Sequence, residues 1–285
     1  MKKLLILCLI IIVFTACVTQ TDPETFVRAE TIVSIGPNIT EILIALELGD
    51  SIVAMDNMST DVPGVPQDIP LLDMMAIDIE TILTLEPDII IATEMITFGG
   101  DPLALVAQAG TQVLYVPVGY SLQCIDNAIM AVANEMQHHQ RGVALATHVA
   151  QETANIQRIA ETITERRTVY FEIDAAPNLF TFGNGTFLNE IIELIGATNI
   201  FADESSWIAV ADEQILARNP DVILTNVFWA EDPIGDIKNR PGWDSVDAVM
   251  NGRVYSIDAN ASSRPSHNIV YAMWEMARAV YPEYF

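Results

Sequence analysis

The 285-residue chain carries 38 acidic and 13 basic side chains, a net charge of −25, while 51% of its residues are hydrophobic and only 18% are charged. That much apolar material packs a core and excludes an acidic disordered chain, and the length suits one large domain or two of ordinary size. The acidity argues against nucleic acid as a partner, because phosphate binding needs a basic footprint.

Lys2 and Lys3 precede an apolar run from Leu4 to Phe14, which has the length of a signal-peptide core and is too short for a permanent membrane span. Thr15-Ala16-Cys17 and a polar run from Val18 to Glu24 follow. A small-residue pair before a cysteine resembles the lipobox of bacterial lipoproteins, with Phe14 where leucine is usual. That resemblance implies that residues 1–16 are removed, that Cys17 is lipidated and that residues 17–29 tether the protein to the membrane. The alternative is an ordinary secretory signal with a chance cysteine. Cys8 leaves with the signal, so Cys124 has no partner for a disulfide and reads as a small buried hydrophobe.

From Thr31 the elements alternate. A strand over Thr31 to Ile35 leads into a helix through Ile42 and Leu46, with Asn38 and Glu41 spaced as a capping box and Gly49 as its stop. Residues 79–93 hold a short helix stopped by Pro87, then a buried β-branched strand. Residues 122–166 contain no proline and one glycine, Gly142, and their apolar spacing predicts a helix followed by a long connecting helix from about Gln140 to Arg166. The pattern then repeats. Strands over Val169 to Ile173 and Leu179 to Phe182 precede a helix that Thr186 caps and Gly196 ends, and residues 212–226 echo 79–93 with Pro220 in place of Pro87. This is an α/β fold of two similar lobes, residues 30–139 and 167–285, joined by a helix over 140–166, with the ligand cleft between them.

Loops after the strands offer Met58, Met74, Met75, Met95, Phe98, Tyr120, Phe180, Phe182, Trp207, Phe228 and Trp229. Methionine is usually core filler, but Met74-Met75 lies between polar segments, and loop tryptophans are characteristic of binding surfaces. No G-x-S-x-G, H-E-x-x-H or phosphate-binding glycine loop is present. Gly183-Asn184-Gly185 fails as a dinucleotide fingerprint because Leu188 holds the third glycine position. His138, His139 and His148 do not share a helical face, so no resident metal is expected, and the missing motifs leave an enzyme or a non-transport surface lipoprotein only as alternatives to a carrier.

Ser34-Ile35-Gly36-Pro37-Asn38, Leu85-Glu86-Pro87-Asp88, Phe180-Thr181-Phe182-Gly183, Asn219-Pro220-Asp221, Arg240-Pro241-Gly242-Trp243 and Ser263-Arg264-Pro265-Ser266 together resemble the substrate-binding proteins of ABC importers for iron complexes and cobalamin. The resemblance spans residues 30–282. It implies two Rossmann-like lobes on one long helix, little closure on binding, a monomer, and delivery of a small-molecule metal chelate to a permease and its ATPase. It also implies docking of the permease by one glutamate on each lobe, here Glu80 and Glu213. Arg264 is the basic residue expected in the cleft, whereas Arg218 is expected to pair with a carboxylate. So few cations suit a neutral hydroxamate chelate, a corrinoid or a porphyrin better than an anionic catecholate or citrate. Phe180 and Trp207 match aromatics of cobalamin-binding members, but Met58 and Met74 stand where that branch has rings, which puts a ferric siderophore ahead of cobalamin. Haem would want an axial ligand, and Tyr120 and His267 are the residues that offer one.

Overall fold

The β-branched runs form parallel ladders. The computed structural model describes residues 31–285, so the signal, the tether and Cys17 lie outside the described residues. In the N-terminal lobe β1 (Ile32–Ile35), β2 (Ile52–Asp56), β3 (Leu71–Leu72), β4 (Ile89–Thr93) and β5 (Gln112–Val116) make an all-parallel sheet in the order β3-β2-β1-β4-β5. It is wrapped by α1 (Pro37–Ala45), α2 (Ile79–Leu85), α3 (Ala104–Gln108) and α4 (Leu122–Glu135). After α5 (His139–Ala160), the second lobe places β6 (Thr168–Glu172), β8 (Thr198–Asn199), β10 (Val222–Thr225) and β11 (Val254–Ser256) in a parallel sheet ordered β11-β10-β6-β8. β7 (Phe180–Phe182) and β9 (Trp207–Ala209) pair antiparallel beside it. Its helices are α6 (Phe187–Leu194), α7 (Asp212–Arg218), α8 (Pro233–Lys238), α9 (Asp247–Met250), α10 (Ala259–Ser263) and α11 (Ile269–Val280).

The repeat in the sequence is a repeat in space. β6, β8, β10 and β11 stand where β1, β2, β4 and β5 stand, and the same local contacts recur. α2 and α7 each end on a left-handed residue before proline, Glu86 at φ 44° and Asn219 at φ 43°. The aspartate after each proline then clips the start of the first strand. Asp88 Oδ2 accepts from the amide and hydroxyl of Thr31 at 3.0 Å, and Asp221 Oδ2 does the same for Thr168 at 2.8 Å.

Two expectations change at α1. Gly36 is its N-cap at φ 125° and Pro37 its first residue, so Asn38 and Glu41 sit inside the helix rather than forming a capping box. Proline pre-sets the helical φ at the first position, and a side chain on Gly36 would crowd Thr93 as well as strain the backbone. The helix ends at Ala45 and the chain turns away through Glu47, φ 60°, not Gly49, with the Leu48 amide bonded to the Leu43 carbonyl at 2.9 Å. In the second lobe Thr186 caps α6 through the Asn189 amide at 3.2 Å, and Gly196 at φ 84° closes it.

The connecting helix α5 has 22 residues, about 33 Å at 1.5 Å per residue. It stops at Ala160 rather than near Arg166, because the Thr162 hydroxyl takes the Ile159 carbonyl and ends the ladder. α4 folds back on α5 so closely that a Cβ on Gly142 would lie 2.3 Å from that of Ala133. One buried apolar cluster runs through both lobes by way of Ile125 and Val132 of α4, Val149 and Ile156 of α5, and Met273 and Met276 of α11. The lobes therefore share a core.

Glu172, at the end of β6, is buried and paired bidentately with Arg240 at 2.5 and 2.8 Å, and Arg240 lies 4.7 Å over the Trp243 ring. Replacing one partner strands a charge in the interior. Arg240→Met should cost about 3–5 kcal/mol in urea unfolding, and adding Glu172→Gln should recover part of that loss.

Candidate functional site

In doubly wound sheets ligands sit beyond the carboxyl ends of the strands, where the chain reverses its winding direction. In the first lobe that point lies between β1 and β4. Asp56, buried at the end of β2, organises it. Its Oδ2 accepts from the Gly36 amide at 2.8 Å and the Ser59 hydroxyl at 2.6 Å, and its Oδ1 accepts from the Met58 amide at 2.9 Å. Ser59 also bonds Thr40, which bonds Ser34. One carboxylate thus ties the turn after β1 to the turn after β2 and sets Pro37, Asn38 and Met58 along one wall. Across the cleft, Asn226, just beyond β10, donates to Ser262 and Ser263 at 3.0 and 3.1 Å and fixes α10 as the facing wall.

Between the walls is a cavity of about 280 Å³. The N-terminal lobe contributes Gly36, Pro37, Asn38, Met58, Met74, Thr93, Met95, Val118 and Gly119. The C-terminal lobe contributes Phe228, Ala259, Asn260, Ser263, Arg264 and Pro265. The lining is thioether, aromatic and aliphatic surface with a few neutral hydrogen-bonding groups. A larger groove of about 690 Å³ shares Asn260 and Arg264 with this cavity and is lined also by Glu41, Asp61, Asp258, Tyr271, Glu275 and Arg278 among others. The smaller cavity is the one lined by Gly36 and Thr93 at the ends of β1 and β4, where the winding reverses, so it is the candidate site.

Four predicted site residues meet there: Met58, Met74, Met95 and Arg264. Met75, 87% exposed, and Trp229, 58% exposed, neighbour lining residues, as does Tyr120 beside Gly119. Phe182 is wholly buried, packed against Phe171 and Trp207, and has no surface to give a ligand. Trp207, expected in a loop, is in strand β9, half-buried against the rings of Phe182 and Phe187. Phe180 pairs opposite Ala209 in the same ladder. None of these three lines the cavity. Asn38, Thr93, Asn260 and Ser263 were not read from the sequence as ligand contacts, although Asn38 lies just beyond β1 and Thr93 ends β4, the two strands that flank the reversal point.

Arg264 is already paired. Its guanidinium bonds Asp61 at 2.7 Å, Glu41 at 3.3 Å and the Met58 carbonyl at 3.2 Å, all in the other lobe. Burial alone would raise the Asp61 carboxyl, but hydrogen bonds from Arg264 and Asn260 hold it below its ordinary value. Among the described residues Arg264 is the one charged residue lining the cavity, and it is neutralised from behind. Arg218 pairs with Asp203 at 2.7 and 2.9 Å, as expected. Among the described residues no group of three histidine, cysteine, aspartate or glutamate side chains is placed to hold a metal ion. His267 does not line the cavity, and its Nδ1 is buried without a hydrogen-bond partner among the described residues. Glu80 and Glu213 are exposed second residues of α2 and α7, equivalent positions of the two lobes.

The sequence profile of a family described as periplasmic binding protein matches residues 32–261. An ABC transporter substrate-binding lipoprotein of Bacillus subtilis, YvrC, is 29% identical over 89% of this chain and 81% of its own length. A vitamin B12-binding protein of Vibrio cholerae is 30% identical over 84% of each chain. The periplasmic haem-binding protein RhuT from Roseiflexus sp. RS-1 superposes with a TM-score of 0.79 at 26% identity, over 89% of this chain and 98% of that one.

Burial, with His148 nearby, pushes the His267 imidazole down from 6.5 to about 4. The folded protein keeps this ring neutral while the unfolded chain protonates near 6.5, so its contribution is complete above that pH and is lost as pH falls toward 4. Acidifying from pH 7 to pH 5 should cost the wild type up to about 2 kcal/mol through this residue. His267→Gln should flatten that part of the stability–pH curve measured by urea unfolding.

Proposed function

Given that this chain belongs to the periplasmic binding protein family and is the substrate-binding component of an ABC importer, we propose that its cargo is a neutral metal chelate whose metal is already fully ligated, a corrinoid of the cobalamin type before any other. The observation that carries this reading is the lining of the cleft. Its walls are thioethers and a phenyl ring, its hydrogen-bonding groups are the neutral Asn38, Thr93, Asn260 and Ser263, and its single guanidinium is spent on Glu41 and Asp61. A corrinoid presents an apolar macrocycle with amide side chains, and its cobalt needs no ligand from the protein. Polarisable methionines suit the face of such a ring, and Phe228 and Trp229 offer aromatic surface from the opposite lobe. The cavity is small for a macrocycle, so the ligand stands partly in the open, beside Met75 and Trp229, exposed neighbours of the lining residues Met74 and Phe228.

The sequence alone puts a ferric siderophore first, and a neutral ferric hydroxamate fits the same lining. The vitamin B12-binding relatives tip the balance toward the corrinoid. Haem fits less well, since among the described residues its carboxylates would meet no free cation and no histidine or tyrosine lines the cavity. The protein acts as a non-enzymatic monomeric carrier, lipid-anchored through Cys17 on the outer side of the membrane. It docks its permease through Glu80 and Glu213, and one copy carries both. Acidic net charge steers it toward basic permease loops.

Calorimetric titration of the full chain in detergent should give one-to-one binding of cyanocobalamin, with ferric hydroxamate weaker and ferric catecholate and haem silent. Tight binding of the catecholate would overturn the neutral-ligand reading. Phe228 is exposed and would be covered by the ligand, so Phe228→Ala should weaken binding by about 1–3 kcal/mol, the range for truncating an aromatic contact. In cells, reversing both charges (E80K with E213K) should abolish uptake and leave affinity unaltered; undiminished uptake would remove these glutamates from docking.

A further inference from the structure

The segment Arg264-Pro265-Ser266 belongs to the C-terminal lobe, yet all three side chains meet the N-terminal lobe. Arg264 spans Glu41, Asp61 and the Met58 carbonyl. Ser266 donates to Glu41 Oε2, and Asn260, one helical turn upstream, donates to Asp61 at 2.8 Å. Pro265 abuts Gly119 so closely that a Cβ there would lie 2.8 Å from the proline ring. Glu41 is 5% exposed and is not in the cavity, and Ser266 is wholly buried. A carboxylate withdrawn from water needs its charge and its lone pairs satisfied, and here both partners come from the other lobe.

We propose that Arg264-Pro265-Ser266 with Glu41 and Asp61 is a clasp that sets the separation of the lobes and thereby the width of the ligand cavity, so that Arg264 is a positioning residue and not the ligand's ionic partner. The clasp also fixes the wall itself, because the carbonyl held by Arg264 belongs to Met58, whose side chain lines the cavity. Glycine at 119 and proline at 265 complete it sterically. A rigid ring against a residue without a side chain leaves no slack between the lobes, and any larger residue at 119 acts as a wedge. The effect on binding rests on the reading of this cavity as the chelate site; the effect on lobe spacing does not.

The test uses spin labels on exposed positions of the two lobes, L83C and M250C in a C124S background, with the inter-label distance measured in the ligand-free full chain. Glu41→Gln and Gly119→Ala should lengthen or broaden the distance distribution, and so should the exposed-site variant Asp61→Asn, which spares folding if the buried ones do not. The same variants should weaken cyanocobalamin binding about two- to thirtyfold, and Glu41→Gln combined with Arg264→Gln should bind no worse than the weaker single variant, the signature of one coupled unit. Wild-type distances in Glu41→Gln and Asp61→Asn would overturn the clasp. So would a loss of affinity confined to Arg264→Gln with lobe spacing unchanged, which would make the guanidinium a direct ligand contact. Should the wild type bind none of the chelates, the cargo reading falls and the distance measurement still decides the clasp.

Discussion

A single carboxylate on the first helix, Glu41, is shut away from water, and the groups that satisfy it, Arg264 and Ser266, belong to the other half of the molecule. Leaving such a charge unpartnered costs several kcal/mol, whereas keeping it paired demands that the two lobes stay in register. The long helix α5 and the shared apolar core make the same demand by packing. Together they hold two independently wound sheets at one separation, and the cavity is the space left between them. Pro265 and Gly119 meet in its lining, and Asp56 and Asn226 fasten the turns and the helix α10 on either side.

The lobes are variations on one unit. The same strand order, the same proline stop after a left-handed residue and the same threonine–aspartate clip occur twice. Duplication places an exposed glutamate at the second position of an equivalent helix in each lobe, which gives two similar carboxylates on one molecule. The lobes diverge at the cleft, where one supplies thioethers and the other an aromatic ring with small polar groups. A two-faced ligand meets different chemistry on each side.

The charge economy of the cleft follows from the clasp. Arg264 is the cation that a reader of the sequence assigns to the ligand, but Asp61 and Glu41 claim it first. In a chain of net charge −25 this leaves the cavity without a free positive group. Anionic chelates would therefore enter against the field of the protein, and neutral ones would pay no such cost.

Much of this was legible in the linear sequence because it is encoded locally. The β-branched runs, the prolines at 87 and 220 and the apolar spacing through residues 122–166 announce parallel strands, helix stops and a connecting helix, since each depends on neighbours a few residues apart. The internal repeat made two lobes the economical reading, and loop methionines at 58, 74 and 95 do reach the cavity wall. What only the tertiary structure decided is which side chains are spoken for. Asn38 and Glu41 have capping-box spacing, but Gly36-Pro37 starts the helix and frees Glu41 to face a partner 223 residues away. Phe182 and Trp207 look like cleft aromatics until the β7–β9 ladder sets them edge to face against each other and the core. Spacing along a chain fixes local hydrogen bonds and periodic faces; burial and long-range pairing depend on where the second lobe comes to rest, and no local pattern carries that information.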